Sequence, residues 1–112
     1  MHHRVRCLEP WFSHIKEGRK PVEGRKNTPK YQKVSVGDTI SFENELGDVF
    51  DAEVTAVRKY PNLESYLEGE GVENALPGIE SIEEGIAVYL QWSTLEEIEQ
   101  YGFLGIGVKP VL

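Results

Sequence analysis

The sequence predicts a small α+β domain whose mostly antiparallel sheet curls toward a barrel. Three observations carry that expectation. The 112 residues, 39% hydrophobic and 28% charged, suffice for one core spanning residues 1–112 and not for two. Both ends of the chain read as strands, the first by its alternation of apolar and polar residues. Short segments with helix caps cluster between strands instead of alternating regularly with them, which separates the pattern from a parallel α/β sheet. With about five or six strands, such a sheet protects its edges by curling.

The elements follow in order. From His3 to Leu8, Val5 and Cys7 alternate against Arg4 and Arg6, a first strand. Glu9-Pro10 opens a short helix with proline near its first turn. Trp11, Phe12 and Ile15 give that helix an apolar stripe, and Gly18 ends it. Pro21 to Arg25 reads as a second strand, and residues 26–33 as a loop. Val36-Gly37-Asp38 turns into a strand over Thr39–Glu43, and Glu45-Leu46-Gly47-Asp48 signals a hairpin. From Val49 to Arg58, Phe50, Ala52, Val54 and Ala56 share one face of the returning strand.

A helical insertion follows. Asn62 caps a stretch from Leu63 to Glu68, which Gly69 and Gly71 interrupt. Val72 to Leu76 adds another turn before Pro77-Gly78. Ser81 and Glu84 form a capping box, starting a helix whose Ile82, Ile86, Tyr89 and Leu90 share a face. Thr94 and Glu97 repeat that signature for a last helix, ended by Gly102. Phe103 to Lys109 is the final strand. Its Gly105 and Gly107 lack a following helix and a Lys-Ser/Thr pair, so they read as close packing or a bulge and not as a phosphate loop.

Several function classes drop out. No apolar run approaches 18 residues, so no membrane span is expected. The first residues lack the long apolar segment and small-residue cleavage site of a secretory signal, and a cytoplasmic location is expected. The single cysteine, Cys7, cannot support a disulfide framework or a cysteine-based zinc site, and reads as a small buried hydrophobe. No helical His-x-x-x-His or Glu-x-x-His spacing occurs, so neither a metal nor another cofactor is expected. His2 and His3 read as an exposed end.

The net charge is −7, but it is uneven. Residues 16–33 hold seven basic and two acidic side chains, net +5, while five basic and seventeen acidic ones elsewhere give −12. One basic segment in an acidic chain points to a local anion-facing surface. The surrounding acid opposes long duplex DNA, so a short single strand or a single nucleotide fits better.

That segment holds Gly18-Arg19-Lys20-Pro21-Val22-Glu23-Gly24-Arg25. Side chains two apart on a strand share a face, so Glu23 and Arg25 point together, with Pro21 if the strand begins that early. Lys20, at the junction of helix and strand, can turn toward the same cleft. Arg25 can hold a phosphate or carboxylate through two parallel bonds. Glu23 can orient either cation or accept from a base amino group, and Lys20 beside Arg25 can act as nucleophile or base. The competing reading is a set of surface ion pairs. His14 lies on the adjoining helix and can donate to a phosphate or base, or be a structural histidine. Among aromatic residues, Tyr31 in the basic segment is the best stacking platform. Trp11 sits on the core stripe, and Tyr89 reads as core with its hydroxyl toward a cleft. Tyr60 and Trp92 are further platforms.

Gly18, Lys20, Glu23 and Arg25 stand in the register Gly-x-Lys-x-x-Glu-x-Arg, which resembles the signature of the ASCH family. Glu-Pro-Trp-Phe-Ser-His-Ile over residues 9–15 is similar to that family's first helix, and the turn at residues 36–38 is similar to its usual lead into a strand. The resemblance implies a PUA-like pseudo-barrel with helices at its rim and a cleft that takes RNA or a modified nucleoside. One bacterial branch of similar fold hydrolyses N4-acetylcytidine through Lys, Thr and Glu. Its lysine corresponds to Lys20, but Glu23 stands at the position of its threonine. Glu68 or Glu70 are the nearest counterparts of its glutamate.

Three functions therefore compete. The first is RNA or modified-nucleoside binding, with Lys20, Glu23, Arg25, Trp11, His14, Tyr31 and Tyr89 lining the site. The second is a nucleoside- or RNA-acting hydrolase, an amidohydrolase or ribonuclease, using Lys20 and Glu23. The third is a protein–protein adaptor acting through the acidic insertion from Asn62 to Tyr101, which requires an apolar patch there and no polar cleft at Lys20.

Overall fold

Among residues 1–111, which the computed structural model describes, five strands and six short helices follow one another. The strands are β1 (His2–Arg6), β2 (Val22–Lys26), β3 (Thr39–Glu43), β4 (Val49–Tyr60) and β5 (Phe103–Pro110). Helix α1 (Trp11–Lys16) lies between β1 and β2, and α2 (Pro29–Gln32) between β2 and β3. The insertion between β4 and β5 contains α3 (Leu63–Glu70), α4 (Val72–Ala75), α5 (Ile82–Tyr89) and α6 (Leu95–Tyr101).

The sheet order is β1-β3-β4-β5-β2. Only β1 and β3 run parallel, and the other three pairs are antiparallel. The sheet curls into a half-barrel, so its two edge strands approach without a backbone ladder between them. A side chain spans the gap: the Arg25 guanidinium donates to the Arg6 carbonyl at 2.7 Å.

Two apolar clusters flank the sheet. Inside the curl, Val5, Phe12, Ile15, Ile40, Phe42, Val54, Leu104 and Ile106 pack together. Outside it, Val22, Leu63, Tyr66, Leu67, Leu76, Tyr89, Ile98 and Phe103 pack beneath the insertion. Strand β5 is therefore covered on both faces, and every residue from Phe103 to Val108 is buried. Its glycines sit where a side chain has no space. A Cβ at Gly105 would overlap the Glu70 carboxylate, and one at Gly107 would lie 2.7 Å from Thr55 Oγ1. The β4–β5 register shifts between Val54 and Ala56, a bulge that this bare backbone accommodates.

Several local expectations need correction, among them the first insertion helix, which runs on through Gly69 to Glu70. The stretch 26–33 is not all loop, because Thr28-Pro29 starts the four-residue α2, with proline at a first-turn position where its missing N–H costs nothing. Strand β2 begins at Val22, so Pro21 does not join the motif face; its carbonyl instead accepts from the Val108 amide at 2.9 Å. Leu90 lies at the C-cap of α5, beyond its last turn, and is exposed. His2 and His3 are also more than a free end: His3 Nε2 lies 2.8 Å from Asp38, and His2 bridges the Thr39 and Ser41 hydroxyls. No helix among the described residues is long and apolar enough to cross a membrane.

Candidate functional site

The motif occupies the exit from α1. Phe12 and Ile15 bury that helix against the barrel core. Gly18, at φ 83°, reverses the chain in a conformation that favours glycine. The His14 carbonyl then accepts from the amides of both Arg19 and Lys20, at 2.9 and 3.0 Å. This turn aims Lys20 inward before β2 begins. On β2, Val22 and Gly24 face the cluster under the insertion, so the two-residue period sends Glu23 and Arg25 to the opposite side.

Lys20 is 1% exposed. Its Nζ donates to the Val22 carbonyl at 2.7 Å and to the Ala75 carbonyl in α4, and lies 3.7 Å from Glu23 Oε1. Glu23 Oε1 also accepts from the Gly24 amide at 3.1 Å, while Oε2 accepts from Arg25 Nη2 at 3.1 Å. The remaining reach of Arg25 goes to the Arg6 carbonyl and, at 3.3 Å, to the Tyr31 hydroxyl. The three charged side chains thus form one chain of contacts, with Glu23 between two cations.

Their protonation follows from that order. Burial pulls Lys20 below its ordinary range, against the opposing attraction of Glu23. Burial pushes Glu23 upward, but Arg25 and Lys20 outweigh it, and the carboxyl titrates below its usual range. Arg25 is held above its ordinary value because Glu23 overcomes the burial penalty. Cys7, beside this group, is pushed up by burial and then by the Glu23 charge, both of which oppose formation of a thiolate.

These groups floor a cleft of about 330 Å³. Trp11, Tyr31, Tyr89 and Trp92 wall it. Trp11 and Tyr31 are half-buried, and the Arg25 guanidinium lies 5.7 Å from the Tyr31 ring centroid. Tyr89 is buried with its hydroxyl 2.8 Å from that of Tyr66, which orients the ring edge-on beside Phe103. Trp92, on the turn between α5 and α6, is 49% exposed at the cleft.

Lys20, Glu23, Arg25, Trp11, Tyr31 and Tyr89 therefore converge on one cleft, and His14 does not. The His14 ring accepts from Arg19 Nε at 2.9 Å, and what this residue gives the site is its carbonyl. Glu68 and Glu70 do not line the cleft either. Glu68 is exposed. Glu70 is engaged by Arg58 at 2.6 and 2.7 Å and by the Tyr60 hydroxyl at 2.6 Å, which anchors α3 to β4. Sequence reasoning did not find Arg6, Cys7, Lys26, Thr28 and Ser93 as lining residues. The curl of the sheet brings β1 to β2, and the insertion folds its α5–α6 turn over the opening. Trp92, already a stacking platform in the sequence, joins these residues at the cleft.

No curated protein matches the chain. Among solved structures, hypothetical protein PH0355 aligns at 37% identity with a TM-score of 0.92, covering 99% of this chain and 100% of that one. Protein PF0455 from Pyrococcus furiosus aligns at 38% identity with a TM-score of 0.82, over 99% of this chain and 98% of that one. A point mutant of ZmASCH from Zymomonas mobilis is 14% identical, with a TM-score of 0.66 over 96% of this chain and 73% of that one, and shares the fold. The family model for the ASCH domain matches residues 5–111. The half-barrel with its rim of helices is the PUA-like arrangement that the motif implies, and the chain belongs to the ASCH domain family.

Proposed function

We propose that the cleft binds a nucleobase, presented by RNA or by a modified nucleoside, and recognises it without turnover. The observation that carries this reading is the meeting of Lys20, Glu23 and Arg25 on the floor of a concave, aromatic-walled cleft. Its volume lies at the small end for ligand sites, the size class of a single base with part of its sugar. Flat aromatic walls suit a flat guest, and the cationic floor suits a ring carbonyl or an adjacent phosphate.

The arrangement favours binding over hydrolysis. Two Lys20 hydrogens are committed to main-chain carbonyls and the same nitrogen lies 3.7 Å from Glu23, which ties the amine into the floor of the cleft and leaves it poorly placed to attack a guest. Both Glu23 oxygens are occupied, and no second carboxylate among the described residues lines the cleft. An adaptor role has the exposed Leu90, Trp92, Leu95 and Tyr101 on the insertion in its favour, but the polar cleft at Lys20 is the feature that such a role does not use.

Tryptophan fluorescence and NMR titrations with the four nucleosides, N4-acetylcytidine and short RNAs test the reading. Binding is expected to shift resonances of Lys20, Arg25 and Trp92. Trp92→Ala should weaken affinity by about tenfold, the value of one stacked base, without lowering the melting temperature. Absence of any shift near residue 20 with all these probes overturns the proposal. Release of acetate from N4-acetylcytidine, abolished in Lys20→Ala, would instead establish the hydrolase.

A further inference from the structure

We infer that the natural guest is a single strand and not a free nucleoside, and that Arg6 and Arg4 carry its phosphates away from the cleft along the outer face of β1. This rests on the base-binding reading above and extends it to residues outside the motif.

Arg6 borders two concavities. It lines the main cleft, and it also lines a second hollow of about 290 Å³ that contains Arg4, Ser41 and Glu43. The hollows therefore meet at Arg6. Arg4 and Arg6 are both exposed and lie two residues apart on one strand, so their side chains leave the same face about 6.6 Å apart. That separation is close to the step between successive phosphates of an extended single strand. Each guanidinium offers a planar fork to phosphate oxygens.

Both forks are free. Arg19, Lys20, Arg25, Lys26 and Arg58 are each tied to a carboxylate, whereas neither Arg4 nor Arg6 forms an ion pair among the described residues. Much of the basic segment found in the sequence is thus neutralised internally. Among the described residues the unpaired guanidinium that borders the cleft is that of Arg6, and Arg4 stands beyond it on the same strand.

The neighbouring strands set the path. Glu43 stands opposite Arg6 in the register without reaching ion-pair distance, and Ser41, opposite Arg4, already donates to Asp51. Asp51 and Glu53 continue this acidic face on β4. A polyanion is repelled from β3 and β4 and confined to the β1 edge.

Fluorescein-labelled pentaribonucleotides of each base, titrated beside the corresponding nucleosides, test this. The best pentamer is expected to bind at least about tenfold more tightly than its nucleoside, with a salt dependence that the nucleoside lacks. The double variant Arg4→Gln/Arg6→Gln should lower pentamer affinity about tenfold or more and reduce the slope of log affinity against log salt by about 1.4, two single-strand phosphate contacts. Arg4→Gln alone should halve that slope change and leave nucleoside affinity as it was. Glu43→Gln should tighten the pentamer, a sign that a merely structural role would not give. Lys33→Gln, away from the path, controls for general charge. Equal binding of pentamer and nucleoside, or a pentamer indifferent to Arg4→Gln and Arg6→Gln, overturns the strand inference and leaves base binding standing. Failure of every pentamer and nucleoside to bind removes both.

Discussion

Gly24, between Glu23 and Arg25 on the motif strand, is fixed by what lies behind it. A Cβ there would sit 2.5 Å from the Tyr66 hydroxyl oxygen and 2.8 Å from a Phe103 ring carbon. Both rings are fully buried, and the Tyr66 hydroxyl is tied to that of Tyr89. Neither can withdraw without disturbing a wall of the cleft. Gly24→Ala is therefore expected to lose about 1–3 kcal/mol of stability, the range for overpacking a close-packed core. Urea denaturation measures it, and an unchanged midpoint would mean that the ring pair yields freely. The same neighbourhood explains what the sequence revealed of the site. Lys20, Glu23 and Arg25 were legible because a helix exit and a two-residue strand period depend on adjacent residues alone. Whether their charges were free was not legible. The two carbonyls that bind Lys20 include Ala75, which is 55 residues away. His14 was misplaced because helix α1 has only six residues, too few for spacing to fix which side of it meets the cleft.

At the level of elements, the insertion's helices were readable because caps are local chemistry. Asn62, Ser81 and Thr94 each accept from the backbone amide three residues on. Helix α6 has the full reciprocal box, and its Glu97 also pairs with Lys26 of β2 at 2.9 Å. One residue thus closes the helix end and ties it to the motif strand, just after Trp92 and Ser93. Thr94→Ala is expected to destabilise by about 1 kcal/mol, read as a lower denaturation midpoint. Because the same turn presents Trp92, base affinity should fall in parallel; stability lost with affinity intact would separate the cap from the cleft. The parallel pairing of β1 with β3 was beyond the sequence. Alternation shows that a segment is a strand, but its partner depends on how α1, β2 and α2 cross between them. Helix α2 was readable in principle, since Thr28-Pro29 is a start signal, but four residues are too short for periodicity to reveal.

Across the whole molecule, the sheet remains open between β1 and β2, and charge bridges it where backbone does not. Glu23 is the centre of that bridge, holding Lys20 and Arg25 beside the point where Arg25 reaches β1. Neutralising it leaves the buried Lys20 and the half-buried Arg25 facing each other, and removing one partner of a buried pair costs about 3–5 kcal/mol. The folded carboxyl titrates below its unfolded value because Arg25 and Lys20 overcome burial. Its contribution is thus fully present above the unfolded pKa of 4.5 and is lost as pH falls through the folded value. Asp38 acts in the same direction: its bond to His3, then to the Ser35 amide, lowers it to about 2, so its share disappears between 3.8 and about 2. Denaturation midpoints measured from pH 7 to pH 2 separate the two. Wild type should lose stability on acidification below about pH 4.5. Glu23→Gln should be destabilised at neutral pH and respond less to acid, whereas Asp38→Asn should remove only the lowest part of the decline. Because the gap that Glu23 closes is also the floor of the cleft, base affinity should fall over the same acid range in wild type. A Glu23→Gln protein as stable at pH 7 as wild type would show that the half-barrel holds its shape without this bridge.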